Sequence, residues 1–175
     1  MTEQSNFSPL KNAMNFGAML GLATMIESFI FQLLKVRGGF TSQILMMVVL
    51  TVFIVLGCMQ YRKSNNGYMS YGQGLGQGVL ISFFGSILLG FFTYVFFKYA
   101  SPESLKEIID LAQEQLEDQG LSEDQVDMAM QMQSKIMTPG IMGITMILTN
   151  TFLGTIISLI SSAVLKKENP NPFAE

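Results

Sequence analysis

The sequence predicts an all-α integral membrane protein: four transmembrane helices, with an amphipathic acidic helical hairpin between the third and fourth. Three observations lead there. Of the 175 residues 49% are hydrophobic and only 13% charged, whereas a soluble domain carries about 25% charged residues to solvate its surface. Four apolar stretches are long enough to cross a ~30 Å hydrocarbon core, which takes roughly 20 helical residues. Most of the 13 acids fall in one connection, between positions 101 and 137. The whole chain, 1–175, then reads as a single four-helix membrane domain carrying that extramembrane hairpin.

The first span is expected over 15–34 and ends at Lys35 and Arg37. The second covers 41–59 and stops at Arg62-Lys63, with Gly38-Gly39 turning the chain between the two. Asn65-Asn66-Gly67 has the turn chemistry that should join it to the third, 74–97, which ends at Lys98. The fourth, 138–165, opens on Thr138-Pro139, where Pro suits the first helical position, and closes on Lys166-Lys167. Barrel strands are excluded, because they alternate apolar with polar over about ten residues and these stretches do not. The N-terminus lacks the basic region and cleavage site of a signal peptide.

The long connection, 101–137, carries Glu103, Glu107, Asp110, Glu114, Glu117, Asp118, Glu123, Asp124 and Asp127. Ser101-Pro102-Glu103 is a helix start, and Leu105, Ile108, Ile109, Ala112 and Leu116 recur at helical spacing. Gly120 should end that helix. Ser122 with Gln125 resembles a capping box opening a second one, which Pro139 should stop near Met137. The apolar positions are expected to be shielded and the acids exposed.

Composition excludes much chemistry. With no His and one Cys, Cys58, there is no imidazole base, no His-ligated zinc, no intrachain disulfide and no CxxC pair. A net charge of −3 offers no basic face to nucleic acid. The 14 Met residues are scattered, which suits adaptable packing better than soft-metal ligation. We therefore expect no catalytic residue, no cofactor-binding residue, no metal site and no enzymatic activity.

Two features rise above background. The glycines of Tyr71-Gly72-Gln73-Gly74-Leu75-Gly76-Gln77-Gly78 follow no strand and precede no P-loop Lys, so nucleotide binding is disfavoured. They instead begin a ladder of small residues, Gly74, Gly78, Ser82, Ser86 and Gly90, matched by Asn150, Gly154, Ser158 and Ser162 in the fourth span. Gly17 and Gly21 form a GxxxG pair in the first. In lipid such ladders let helix backbones approach closely, here within one bundle or between copies of a homo-oligomer. The second feature is Glu27, inside the first span with no basic residue at its depth. An ionised carboxylate there costs at least ~2.5 kcal/mol, so a neutral carboxyl facing the bundle and hydrogen-bonded to Asn150 is expected.

Met69-Ser70-Tyr71-Gly72-Gln73, the Phe-rich third span ending Tyr99-Ala100-Ser101-Pro102-Glu103, and Met137-Thr138-Pro139 together carry a family resemblance. Gly154, Ile156-Ile157-Ser158-Leu159-Ile160 and Lys166-Lys167 complete it. The chain resembles the four-span membrane proteins of the bacterial domain-of-unknown-function family 4199, widespread in Bacteroidetes, over nearly its whole length. The resemblance implies the inner membrane of a Gram-negative bacterium. It implies no activity or ligand, so no site is carried over from it.

The expectation is thus a polytopic inner-membrane accessory or scaffold subunit, surrounded by the lipid bilayer and meeting a membrane protein partner through the 101–137 loop. A small oligomeric transporter or proton pathway using Glu27, lined by Asn150 and the hydroxyl ladder, is the competing expectation. Basic residues divide evenly between the two sides of the membrane. The paired stops Arg62-Lys63 and Lys166-Lys167 tip the expected orientation towards cytoplasmic termini.

Overall fold

The computed structural model describes residues 8–34 and 40–170; Lys35, Arg37, the Gly38-Gly39 turn and Asn171-Pro172 lie outside the described residues. The described chain runs through α1 (Pro9–Leu33), α2 (Phe40–Ser64), α3 (Tyr71–Val95), α4 (Pro102–Asp118), α5 (Glu123–Ile136) and α6 (Pro139–Leu165). A single π-helical turn, Phe96–Ala100, continues α3. Among the described residues four segments are long and apolar enough to cross a membrane: α1, α2 from Ser42, α3 with its π turn, and α6. The chain is therefore an all-helical, multi-pass membrane protein.

Caps, rather than hydrophobicity, decide where these helices begin. The Ser8 hydroxyl accepts from the Lys11 N–H at 3.4 Å and Pro9 takes the first turn, so α1 starts upstream of its apolar stretch. At α3 the Ser70 hydroxyl accepts from the Gln73 N–H (3.3 Å), and Gln73 Oε1 accepts from the Ser70 N–H (2.9 Å). That reciprocal box makes the glycine-rich opening the first turns of a helix. Ser122 and Gln125 form the same box at α5, with Gln125 Oε1 accepting from the Ser122 N–H at 3.0 Å.

Ends are equally local. Asn66 (φ 53°) and Gly67 (φ 82°) turn left-handed after α2, and the Gly67 N–H donates to the Arg62 carbonyl at 2.8 Å. Gly120 (φ 74°) does the same after α4. The π turn closes with the Ser101 N–H donating to the Phe96 carbonyl at 2.8 Å, the five-residue spacing that defines such a turn.

The chain divides into two compact units, Met1–Leu89 with Ile147–Glu175, and Gly90–Met146. In the first, α1, α2 and the later part of α6 gather around α3. Ile54, Cys58, Met69 and Ile81 are fully enclosed at its centre, and so are Ser82, Ser158 and Ser162. Large apolar side chains such as Leu148, Phe152, Ile160 and Val164 are turned outwards. This inverts a soluble core and suits a lipid surrounding, where small residues belong between helices. At one end Met69 and Lys167 exchange two backbone hydrogen bonds, both 2.8 Å, tying the α2–α3 turn to the chain beyond α6. Arg62 Nη1 donates to the Leu165 carbonyl (3.2 Å) beside that bridge.

The second unit holds the end of α3, the π turn, α4, α5 and the start of α6. A Cβ added to Gly143 would lie 2.7 Å from the Gly90 carbonyl oxygen, so α3 and α6 touch backbone to backbone here. Helix α4 packs on the π turn and on α5. Leu105, Ile108, Ile109 and Leu116 are half-buried and Val126 is buried, while every acid of α4 and α5 is exposed.

Alternate glycines at the start of α3 have opposite fates. A Cβ at Gly78 would meet the Ser158 side chain, with Cβ–Cβ at 2.7 Å, whereas at Gly76 nothing lies within 4 Å. Gly78→Ala should cost about 1–3 kcal/mol by overpacking. Gly76→Ala should be neutral or stabilising by up to ~1 kcal/mol through helix propensity. Reversible unfolding in mixed detergent micelles reads both, and equal tolerance would contradict the packing.

Candidate functional site

The polar residues of the first unit fall into three groups. The first is the seam between α3 and α6, built by antiparallel opposition of the two ladders. Gly74 faces Ser162, Gly78 faces Ser158, and Ser82 faces Gly154, each close enough that a Cβ on the glycine would collide. Most of the hydroxyls turn back on their own helices: Ser82 donates to the Gly78 carbonyl (2.8 Å) and Ser158 to the Gly154 carbonyl (2.6 Å). Across the seam Ser86 and Thr151 share a hydrogen bond of 3.0 Å. Ser162 Oγ is enclosed with no hydrogen-bond partner among the described residues. Van der Waals contact between backbones therefore does most of the joining.

Gly17 and Gly21 of α1 form a second close approach, to a neighbouring face of α3. A Cβ on Gly17 would lie 2.9 Å from the Ile81 carbonyl oxygen, and one on Gly21 would lie 3.0 Å from that of Gly85. Gly85 answers them, since its own Cβ would come 3.1 Å from the Gly17 carbonyl oxygen. Sequence reasoning passed over Gly85 because it interrupts the four-residue ladder. Its neighbours on that face, Ile81, Phe84 and Leu88, are large, so the signal for it lay in α1, where Gly17 and Gly21 leave room for them.

The second group was also missed. Asn12 Nδ2 donates to Gln77 Oε1 (2.9 Å) and to the Gly57 carbonyl (3.1 Å), and Gln77 Nε2 donates to the Pro9 carbonyl (2.9 Å). Both side chains are buried, so one polar knot links α1, α2 and α3. Neither position stands out in sequence, since each lies near a helix start where polar residues are ordinary. The Cys58 thiol, also buried, donates weakly to the Gly74 carbonyl at 3.5 Å.

Glu27 is the third. It lines a pocket of about 130 Å³ with Thr24, Ser28, Phe31, Ser42, Gln43 and Met46, between α1 and α2. Both carboxylate oxygens are enclosed and make no hydrogen bond among the described residues. The expected bond to Asn150 is therefore not formed. Asn150 is buried elsewhere, lining a space of about 10 Å³ with Leu20, Thr24, Ser82 and Leu89. Equal depth along two helices does not make them neighbours, and α1 turns Glu27 towards α2 instead of α6. What this arrangement offers chemically is a carboxyl able to hold a proton, flanked by hydroxyl and amide groups that are not bonded to it.

The sequence profile of the family described as "Protein of unknown function (DUF4199)" matches residues 15–167. Neither a curated protein nor a solved structure matches the chain.

An enclosed polar group left without a bond costs about 1–3 kcal/mol. Glu27→Leu should accordingly stabilise the protein in detergent by an amount of that order. A lower midpoint would show that the carboxyl takes a partner in the solubilised protein. Asn12→Leu should act in the opposite direction by a similar amount, because it orphans Gln77 Oε1. In a double-mutant cycle with Gln77→Leu the two losses should be markedly non-additive, and simple additivity would mean that the knot contributes nothing as a pair.

Proposed function

We propose that this chain, which belongs to the DUF4199 family, is an accessory or scaffold subunit of the bacterial inner membrane that binds a membrane protein partner through its α4–α5 segment. The observation that carries this reading is a row of apolar side chains along α5. Met128, Met132 and Ile136 are spaced by one helical turn and are 67%, 65% and 58% exposed, beside the exposed acids Glu123, Asp124 and Asp127. A helix nucleated by its own capping box, yet leaving such a row open, is suited to docking. Methionine adapts to an irregular partner surface, and the surrounding carboxylates steer a basic one.

The interior supports the same reading over transport. The space beside Asn150 is about 10 Å³, no more than one water-sized probe sphere, and the seam next to it is closed by backbone contact. We place the termini in the cytoplasm and α4–α5 in the periplasm, on the strength of the paired cations after α2 and α6. Reporter fusions after Lys167 and at Gly120 test that orientation.

A photo-crosslinking amino acid at Met132 in living cells should give one adduct, with a protein of different mass. The adduct should disappear when Met128→Lys and Ile136→Lys are added, and persist with Met128→Leu. An adduct with a second copy of the chain, or none at all, would refute the accessory role.

A further inference from the structure

We propose that the groove at the bridged end of the first unit binds an anionic phospholipid, with Arg62, Lys63 and Lys167 holding its phosphate. The groove has a volume of about 510 Å³, within the range of small-molecule sites. Its two halves differ in chemistry. Phe16, Leu56 and Met59 form an apolar wall, and the three cations form the rim. Leu56 and Met59 are nearly half exposed on the outer side of α2, where an acyl chain would lie against them in the bilayer. Arg62 and Lys63 occupy the last turn of that same apolar helix, which puts the rim at the height of the headgroups.

Three features argue that the rim is built to receive an anion. Among the described residues no acidic side chain lines the groove. The Arg62 guanidinium is held before any ligand arrives by its bond to the Leu165 carbonyl, and the backbone that carries Lys167 is fixed by the paired bonds to Met69. The Lys167 ammonium also stands 5.7 Å from the centre of the Tyr68 ring, a cation–π contact that keeps it near the rim. The carbonyl ends of α2 and α6 each contribute about half a negative charge there, which three full positive charges outweigh. Basic pockets between membrane helices recognise anionic headgroups by this combination of charge and apolar wall.

The test uses the full-length protein in neutral detergent, with native mass spectrometry counting bound phosphatidylglycerol, phosphatidylcholine or inorganic phosphate. Phosphatidylglycerol should be retained and phosphatidylcholine lost. Lys63→Gln and Lys167→Gln, both at exposed positions and so compatible with folding, should each weaken phosphatidylglycerol binding about five-fold. Lys98→Gln, in the other unit, should leave it unchanged. Equal retention of the two lipids, or unaltered binding in both groove variants, would overturn the proposal. Displacement of phosphatidylglycerol by millimolar inorganic phosphate would overturn it too, by assigning the rim to a soluble anion.

Discussion

The close backbone contact between α3 and α6 is the constraint on which the first unit depends. In lipid an apolar side chain gains little by leaving one hydrocarbon surface for another, so the force that collapses a soluble bundle is largely absent. Helices adhere only where their backbones come near enough for many van der Waals contacts. Gly78 against Ser158 and Ser82 against Gly154 provide that proximity. Because α3 also takes Gly17 and Gly21 of α1 on a neighbouring face, it joins the two packings of the unit. Large residues are then displaced outwards by geometry, which is why Phe152 and Val164 face away while serines fill the centre.

Much of this was legible in the sequence, and the reason is periodicity. Spans and seam repeat every four residues or extend over twenty, so their signal accumulates. The Ser122–Gln125 box and the Gly120 stop were legible for a different reason, since each is complete within a few residues. The Ser70–Gln73 box is just as local, and it starts α3 at Tyr71, ahead of the apolar stretch expected from position 74.

What escaped the sequence is what requires two helices to be rotated against each other. The Asn12–Gln77 bond joins positions far apart in the chain, and nothing in either neighbourhood names the other. Glu27 shows the same difficulty from the opposite direction. Its depth in α1 was readable, but the helix it faces depends on the rotation that Gly17 and Gly21 impose by seating on α3. That rotation turns the carboxyl towards Ser42 and Gln43 of α2, a neighbourhood that depth alone does not specify. Function escaped more completely, because the exposed row of Met128, Met132 and Ile136 has the same spacing as an ordinary buried helix face.

The seam also bears on how the protein is made. The two halves of the ladder are separated in the chain by α4 and α5, so the ribosome completes α3 well before α6 emerges. During that interval α3 is already capped and helical, yet the face bearing Gly74, Gly78 and Ser82 has no complement. A small-residue groove open to lipid is as attractive to another nascent chain as to its own later segment. Correct assembly is therefore a kinetic contest between the elongation of some sixty residues and the capture of that groove by a foreign helix. Slower translation through the acidic segment would favour the foreign helix.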